Sequence, residues 1–259
     1  TAFMIPKRHV LGVAVGLSLS AGTFALMPNS TSDTVWSWVG QAGGGGATAI
    51  RSRSVITAKH VPGLTYGVQG NIYTAVQRIN HPTYDIAILN FAQDLPGWYE
   101  VGTEAPIDST LTIVGWGHTG VVNAQGNGYD HQTSLGVRRA GRNKLHFKSV
   151  LQGYGPYLGT WLVENGDAIG AGGDSGGAFF IGNRLVGVTS FVGSTNWSLP
   201  NYGFASQNGG VPYMLTGAID LTVPEIRTWI QAHVVPEPTS GLILTGLTAM
   251  VLRRRKVSR

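Results

Sequence analysis

The sequence predicts an all-β body closed by one helix near its C-terminal end. Three observations carry this: an excess of glycine, short β-branched and aromatic runs broken by turn residues, and a single segment with helical periodicity. Glycine supplies 38 of 259 residues, about twice its usual share. Each glycine inside a helix costs roughly 0.8–1 kcal/mol relative to alanine, so long helices are disfavoured throughout. Many short strands with turn signals between them indicate a sandwich or barrel.

Taken in order, the predicted strands are TVWSWVG (34–40), ATAI (47–50), SVIT (54–57), NIYTAVQRI (71–79) and DIAILNF (85–91). They continue with LTIVGWG (111–117), WLVEN (161–165), GAFFIG (177–182), RLVGVTSF (184–191) and YGFAS (202–206). The helix is placed at 224–234 within TVPEIRTWIQAHV. Thr222 is the expected cap and Pro224 suits the first turn, while Ile226, Trp229 and Ile230 share one apolar face. No internal repeat interrupts this pattern.

The two ends read as addresses rather than as fold. Residues 1–25 carry Lys7 and Arg8, then an apolar stretch from Val10 to Ala25 that ends in the small-residue sequence TFA. That is the layout of a secretory signal, and the run is short for a membrane span. At the other end, 236–259 opens with Pro236-Glu237-Pro238, continues with an apolar segment from Gly241 to Leu252, and finishes in Arg253, Arg254, Arg255, Lys256 and Arg259. Twelve helical residues rise about 18 Å, short of a ~30 Å hydrocarbon core. This order resembles the PEP-CTERM sorting signal of Gram-negative bacteria. The resemblance implies transient anchoring at the inner membrane and removal by an exosortase-type enzyme. The basic end agrees with the positive-inside rule.

Setting aside those seven terminal cations and Glu237 leaves eleven basic and twelve acidic side chains in residues 26–235. The formal charge of +5 therefore belongs to the tails, and the body has no basic footprint for nucleic acid. With no cysteine, neither disulfides nor thiolate metal sites can form. No HExxH or HxH pair offers a histidine metal site. No cofactor or metal is expected.

The segment GAGGDSGGAFF (170–180) places one aspartate and one serine among five glycines. Glycine permits positive φ and close backbone approach, so such a loop can turn its own N–H groups inward around a hydroxyl. A serine hydroxyl is a weak nucleophile and needs a base, usually a histidine oriented by a carboxylate. His60 follows the apolar run SVITAK and precedes VPG, at a strand end. Asp85 opens the otherwise apolar DIAILNF, where an unpaired carboxylate would cost several kcal/mol. His81 is the competing base, but it precedes Pro82 without an apolar strand leading into it.

SVITAKHV, DIAIL and GGDSGGA resemble the LTAAH, DIALL and GDSGGP motifs of chymotrypsin-like serine peptidases, in the same order. IVGWG (113–117), LVGVTSF (185–191) and the terminal helix with Trp229 extend the likeness over about 34–234. The resemblance implies two six-stranded antiparallel β-barrels, about 34–110 and 111–223, with the site between them. By it, Ser175 is the nucleophile, His60 the base, Asp85 its orienting acid, and the backbone N–H groups of Gly173 and Ser175 the oxyanion hole. Ile169, Ser190 and Val192 fall at the specificity pocket, apolar and shallow, and the substrate is a protein or peptide. A catalytically silent surface or matrix binding protein on the same fold is the alternative.

The chain departs from the family at several points. In the family the acid before the serine pairs with a freshly cut N-terminus beginning IVGG, and no such sequence precedes Trp36. Asp174 is thus left with the signal-cleaved terminus, another cation, or backbone donors as partners. The pocket floor is Ile169 where trypsin-like members carry aspartate, with Asp167 two residues earlier. Lys59 puts a cation directly before the base, and the usual disulfides are missing.

Overall fold

The computed structural model describes residues 26–28, 30–122, 129–132, 136–161, 167–194 and 214–236. Both proposed sorting segments therefore lie outside the described residues, Pro236 apart, as do YGFAS and most of WLVEN. In chain order the elements are β1 (Met27–Pro28), β2 (Ser30–Ser32), β3 (Val39–Ala42), β4 (Gly45–Arg51), β5 (Ser54–Thr57), β6 (Thr65–Val68) and β7 (Asn71–Thr74). There follow β8 (Gln77–Asn80), β9 (Ala87–Asn90), β10 (Thr110–Gly115), β11 (Thr119–Val122), β12 (Tyr129–Gln132) and β13 (Arg139–Lys144). The last are β14 (Phe147–Leu151), β15 (Gly155–Trp161), β16 (Ala168–Ile169), β17 (Ala178–Ile181), β18 (Arg184–Ser194), β19 (Met214–Asp220) and α1 (Pro224–His233).

Two antiparallel sheets dominate, as the sequence predicts. Among the described residues one has seven strands in the order β7-β6-β3-β4-β5-β9-β8, and the other eight in the order β14-β15-β19-β18-β17-β10-β13-β2. Each exceeds the six implied by resemblance. In the second sheet one addition is β2, which pairs with β13 (Ser32 opposite Arg139) although it precedes every strand of the first sheet. A half-buried Arg138 secures this crossing by an ion pair to Asp33 at 3.0 Å and a hydrogen bond to the Val39 carbonyl at 3.2 Å. SVIT is a strand at the predicted residues, whereas NIYTAVQRI divides into β7 and β8, and only the end of TVWSWVG extends.

One buried cluster runs through both sheets. Val39, Ile56, Ile88 and Leu89 from the first meet Val114, Phe180, Val188 and Ile219 from the second, with Ile226 and Ile230 of α1. Trp36 stacks on Phe180 across the junction at 4.1 Å between ring centroids. Burying the two α1 isoleucines contributes about 1.5–3 kcal/mol each and fixes the helix on the first sheet. Two hydrogen bonds add direction: Asn90 Nδ2 donates to the His233 carbonyl at 2.9 Å, and the Val235 N–H to Ser54 Oγ at 2.9 Å.

The helix begins differently from expectation. Val223 is its cap and makes no side-chain cap bond. Thr222 instead turns back, its N–H and Oγ1 both donating to Asp220 Oδ1 (2.9 and 2.6 Å). The carboxylate two residues upstream offers a closer acceptor than the helix offers donors, and Pro224 at the helix start removes one of those donors. Among the described residues no helix is long and apolar enough to cross a membrane.

Candidate active site

His60 stands just beyond β5, where the apolar SVIT strand runs out, and its side chain remains 47% exposed. Asp85 lies in the connection from β8 to β9, nearly buried. Its carboxylate grips His60 twice, accepting the backbone N–H at Oδ1 (3.0 Å) and facing ring Nδ1 at Oδ2 (2.7 Å). With Nδ1 engaged as donor, Nε2 is left as a proton acceptor facing outward. Burial raises the pKa of Asp85, but hydrogen bonds from His60 and Ser190 outweigh it and hold the group below the usual carboxylate range. It is an anion well suited to steadying an imidazolium.

Ser190 supplies the second of those bonds, Oγ to Asp85 Oδ2 at 2.5 Å. The resemblance puts this residue in the specificity wall, yet its hydroxyl turns to the acid instead. The cause is a bulge: Thr189 opposes Ala218 and Phe191 opposes Gly217, so Ser190 has no partner in β19. A bulge re-aims the extra residue's side chain. The sequence signal for it was weak, because β19 itself (MLTGAID) is interrupted by glycine and aspartate and was not predicted as a strand.

Ser175 reaches the same place through backbone. The Gly46 N–H donates to the Ser175 carbonyl at 2.7 Å, and the Gly46 carbonyl accepts from Thr57 Oγ1 at 2.7 Å, three residues before His60. Behind it the Gly176 N–H donates to the Thr189 carbonyl at 2.7 Å, next to Ser190. The serine loop is thus pinned between the strand that leads to the histidine and the strand that braces the aspartate. The Ser175 hydroxyl makes no hydrogen bond among the described residues, to His60 or to any other group.

Gly173 has φ +93° and Gly176 φ +80°, conformations that non-glycine residues rarely adopt. Among the described residues neither the Gly173 nor the Ser175 N–H is spent on a hydrogen bond, and both stay available to an acceptor. Asp174 between them is fully buried, and its oxygens accept from the N–H groups of Gly117 (2.7 Å) and Ala171 (2.8 Å), with Trp116 contributing a third amide. Among the described residues, the partners of Asp174 are backbone donors. Burial pushes the Asp174 pKa up to about 7 against the pull of these amides.

Of the expected specificity residues, Val192 comes close to Gly170, the neighbour of Ile169. Ile169 is buried in β16, paired with Met27. The next residue, Gly170, donates its N–H to Thr216 Oγ1 at 2.7 Å. A Cβ at Gly170 would lie 3.0 Å from Thr216 Cγ2 and 3.5 Å from Val192 Cγ1. Lys59 lies on the cleft beside His60, its Nζ 3.5 Å from the Pro82 carbonyl.

His81 is buried and is not the base. Its Nδ1 accepts the Thr83 and Tyr84 N–H groups at 3.2 and 2.9 Å, and so has no lone pair for a serine proton. Beside the His60–Asp85 pair opens a cleft of about 540 Å³ lined by Lys59, Asn80, Thr83, Tyr84, Gly153 and Tyr154. A cavity of about 250 Å³ under α1, lined by Ile50, Arg51, Arg227 and Ile230 among others, holds no nucleophile and stands apart from the site.

A family model described as Trypsin matches residues 28–207. Among solved structures, neuropsin, a serine protease expressed in the limbic system of mouse brain, superposes with a TM-score of 0.56 at 16% identity. The match covers 78% of this chain and 97% of that one. At such identity it speaks for the fold. No curated protein sequence is found to match.

Proposed function

The chain belongs to the trypsin family, and from that premise we propose that it is an exported serine endopeptidase using Ser175, His60 and Asp85. The observation that carries this reading is the 2.7 Å contact of His60 Nδ1 with a buried carboxylate, set beside a glycine-framed serine whose flanking N–H groups are unspent. In this mechanism Ser175 Oγ attacks the peptide carbonyl carbon while His60 Nε2 takes the hydroxyl proton. The negative charge moves to the carbonyl oxygen, which the Gly173 and Ser175 N–H groups receive. Collapse breaks the C–N bond, His60 returns its proton to the leaving amine, and an acyl-enzyme remains. Water then repeats the sequence, its proton passing to His60 and on to Ser175 as the acid departs. Asp85 keeps the imidazole in one tautomer throughout and stays ionised.

Export rests on the termini: 1–25 as the secretory signal, and 236–259 as a transient inner-membrane anchor removed by an exosortase-type enzyme. The substrates are proteins or peptides outside the cytoplasm.

Labelling of the purified chain with a fluorophosphonate tests the chemistry. The wild type is expected to form one covalent adduct at Ser175 and to cleave peptide substrates. In Ser175→Ala, labelling disappears and kcat falls by roughly 10⁶-fold, the scale seen when a serine protease loses its nucleophile. Equal cleavage by the variant overturns the mechanism. A folded wild type that neither labels nor cleaves favours a silent binding protein instead.

A further inference from the structure

The connection 81–86, which carries Asp85, is short, and its interior contains amides that need acceptors. The His81 N–H donates to the Ile86 carbonyl at 2.9 Å and closes the loop at its base, while the Ile86 N–H donates to the Tyr84 carbonyl at 2.9 Å. The Asp85 N–H reaches out to the Tyr154 carbonyl at 3.2 Å. Two amides remain, those of Thr83 and Tyr84, and both donate to the ring nitrogen Nδ1 of His81. An imidazole nitrogen that accepts hydrogen bonds carries no proton, so the ring is neutral with its proton on Nε2.

The ring itself is clamped. His81 is 3% exposed. It stacks on Tyr84 at 4.5 Å and 13°, and meets Trp229 of α1 edge-on at 4.8 Å. Tyr84 is held in turn by its hydroxyl, which donates to Glu225 at 3.1 Å. We propose that His81 is a positioning residue for the triad: as a neutral acceptor it fixes the backbone of 82–85 and thereby aims the Asp85 carboxylate at His60. This rests on the peptidase reading above. It assigns His81 a task that only an unprotonated ring can perform, since a proton on Nδ1 would set one N–H against two others.

The groups facing His81 are Glu225 and His233 from α1, Lys59 from the strand end that carries His60, and Tyr84 of its own loop. Burial lowers the His81 pKa; Glu225 opposes this, whereas Lys59 and His233 reinforce it. The folded state therefore binds fewer protons here than the unfolded chain does below about pH 6.5. The loop's order is fully present above that pH and is lost as pH falls through the depressed folded value. Acid therefore loosens the loop that carries Asp85, through His81.

Two variants of the full chain separate this role from general stability. His81→Asn keeps an acceptor oxygen near the Nδ1 position but cannot titrate; His81→Phe keeps the stacked ring but has no acceptor. His81→Phe is expected to lower kcat and the fluorophosphonate labelling rate by about 10- to 100-fold with KM within about twofold, as for a catalytic group displaced by tenths of an ångström to one ångström. His81→Asn is expected to restore kcat to within about threefold of wild type. Its acid limb should lack the proton that His81 contributes in the wild type. Long-range ¹H–¹⁵N correlation on the wild type should report the Nε2–H tautomer for His81 between pH 6 and 8. A folded His81→Phe with wild-type kcat and pH profile overturns the proposal, as does a proton found on Nδ1. If the wild type is inert to the probe, the peptidase reading fails on its own. The low-field proton of the His60–Asp85 hydrogen bond then reads the positioning, retained in His81→Asn and lost in His81→Phe if the proposal holds.

Discussion

Asp174 shows how one buried carboxyl can shape the pH response of the whole chain. Room for it is made by two glycines of IVGWG: a Cβ at Gly115 would lie 2.0 Å from Asp174 Oδ1, and one at Gly117 would lie 2.7 Å from its Cγ. Its ordinary pKa of 3.8 rises to about 7 on folding, burial being the chief cause. Between those values the folded chain holds a proton that the unfolded chain has lost. Its contribution to stability is therefore complete below about pH 4 and drains away as pH rises through about 7. Asp85 and His81, with lowered values, act in the opposite sense, so the Asp174 effect must be isolated by difference. Urea midpoints of wild type and Asp174→Asn at pH 5 and pH 8 provide that measurement. The wild type should lose ground relative to the variant as pH rises; a constant gap would show that Asp174 ionises as it does in water.

At the scale of elements, the serine loop depends on how closely β4 approaches it. A Cβ at Gly46 would sit 2.7 Å from both Cα and N of Gly177. Those are backbone atoms that cannot rotate away. Gly46→Ala should push the loop off β4, lowering the labelling rate at least tenfold while costing about 1–3 kcal/mol of stability. Labelling kinetics beside a thermal melt will separate the two, and an unchanged labelling rate would mean that the loop is held elsewhere. The specificity pocket implied by the family resemblance would be a second meeting of elements, β16 and Gly170 beside β18 and β19. Val192 and Thr216 crowd the space beside Gly170, and its floor residue Ile169 offers no carboxylate to a buried cation. A peptide library should show cleavage after small or medium apolar residues such as Ala or Val. Dominant cleavage after Arg or Lys would show that Asp167 reaches the pocket.

These elements also mark where sequence reading stopped. SVIT and GAFFIG announce strands because β-branched and aromatic residues run uninterrupted between turns. The pairing of His60 with Asp85 was legible because a carboxylate opening an otherwise apolar strand costs energy unless it finds a partner. The second hydroxyl on Asp85 was not legible, since it follows from a bulge against a strand whose Gly217 and Asp220 obscure its pattern. His81 was read as a rival base because a sequence shows a residue's chemistry and not which of its nitrogens is already occupied.

At the scale of the molecule, the all-β architecture with its closing helix was legible from composition and periodicity, and the two-sheet arrangement from motif order. The N-terminal crossing was not, because β2 belongs to the far sheet and the half-buried Arg138 that ties it there contacts Asp33 and Val39 from about 100 residues away. The helix closes the opposite loop in the chain path: Glu225 meets Tyr84 across 141 residues, and Val235 meets Ser54 across 181. Contacts at such separation form late, since loop closure must precede them. During synthesis, then, a chain whose α1 is still in the ribosome has the histidine, the aspartate and the serine, but no brace behind the loop that carries the aspartate. The piece that steadies the loop is thus made after all three of the residues it would help to align.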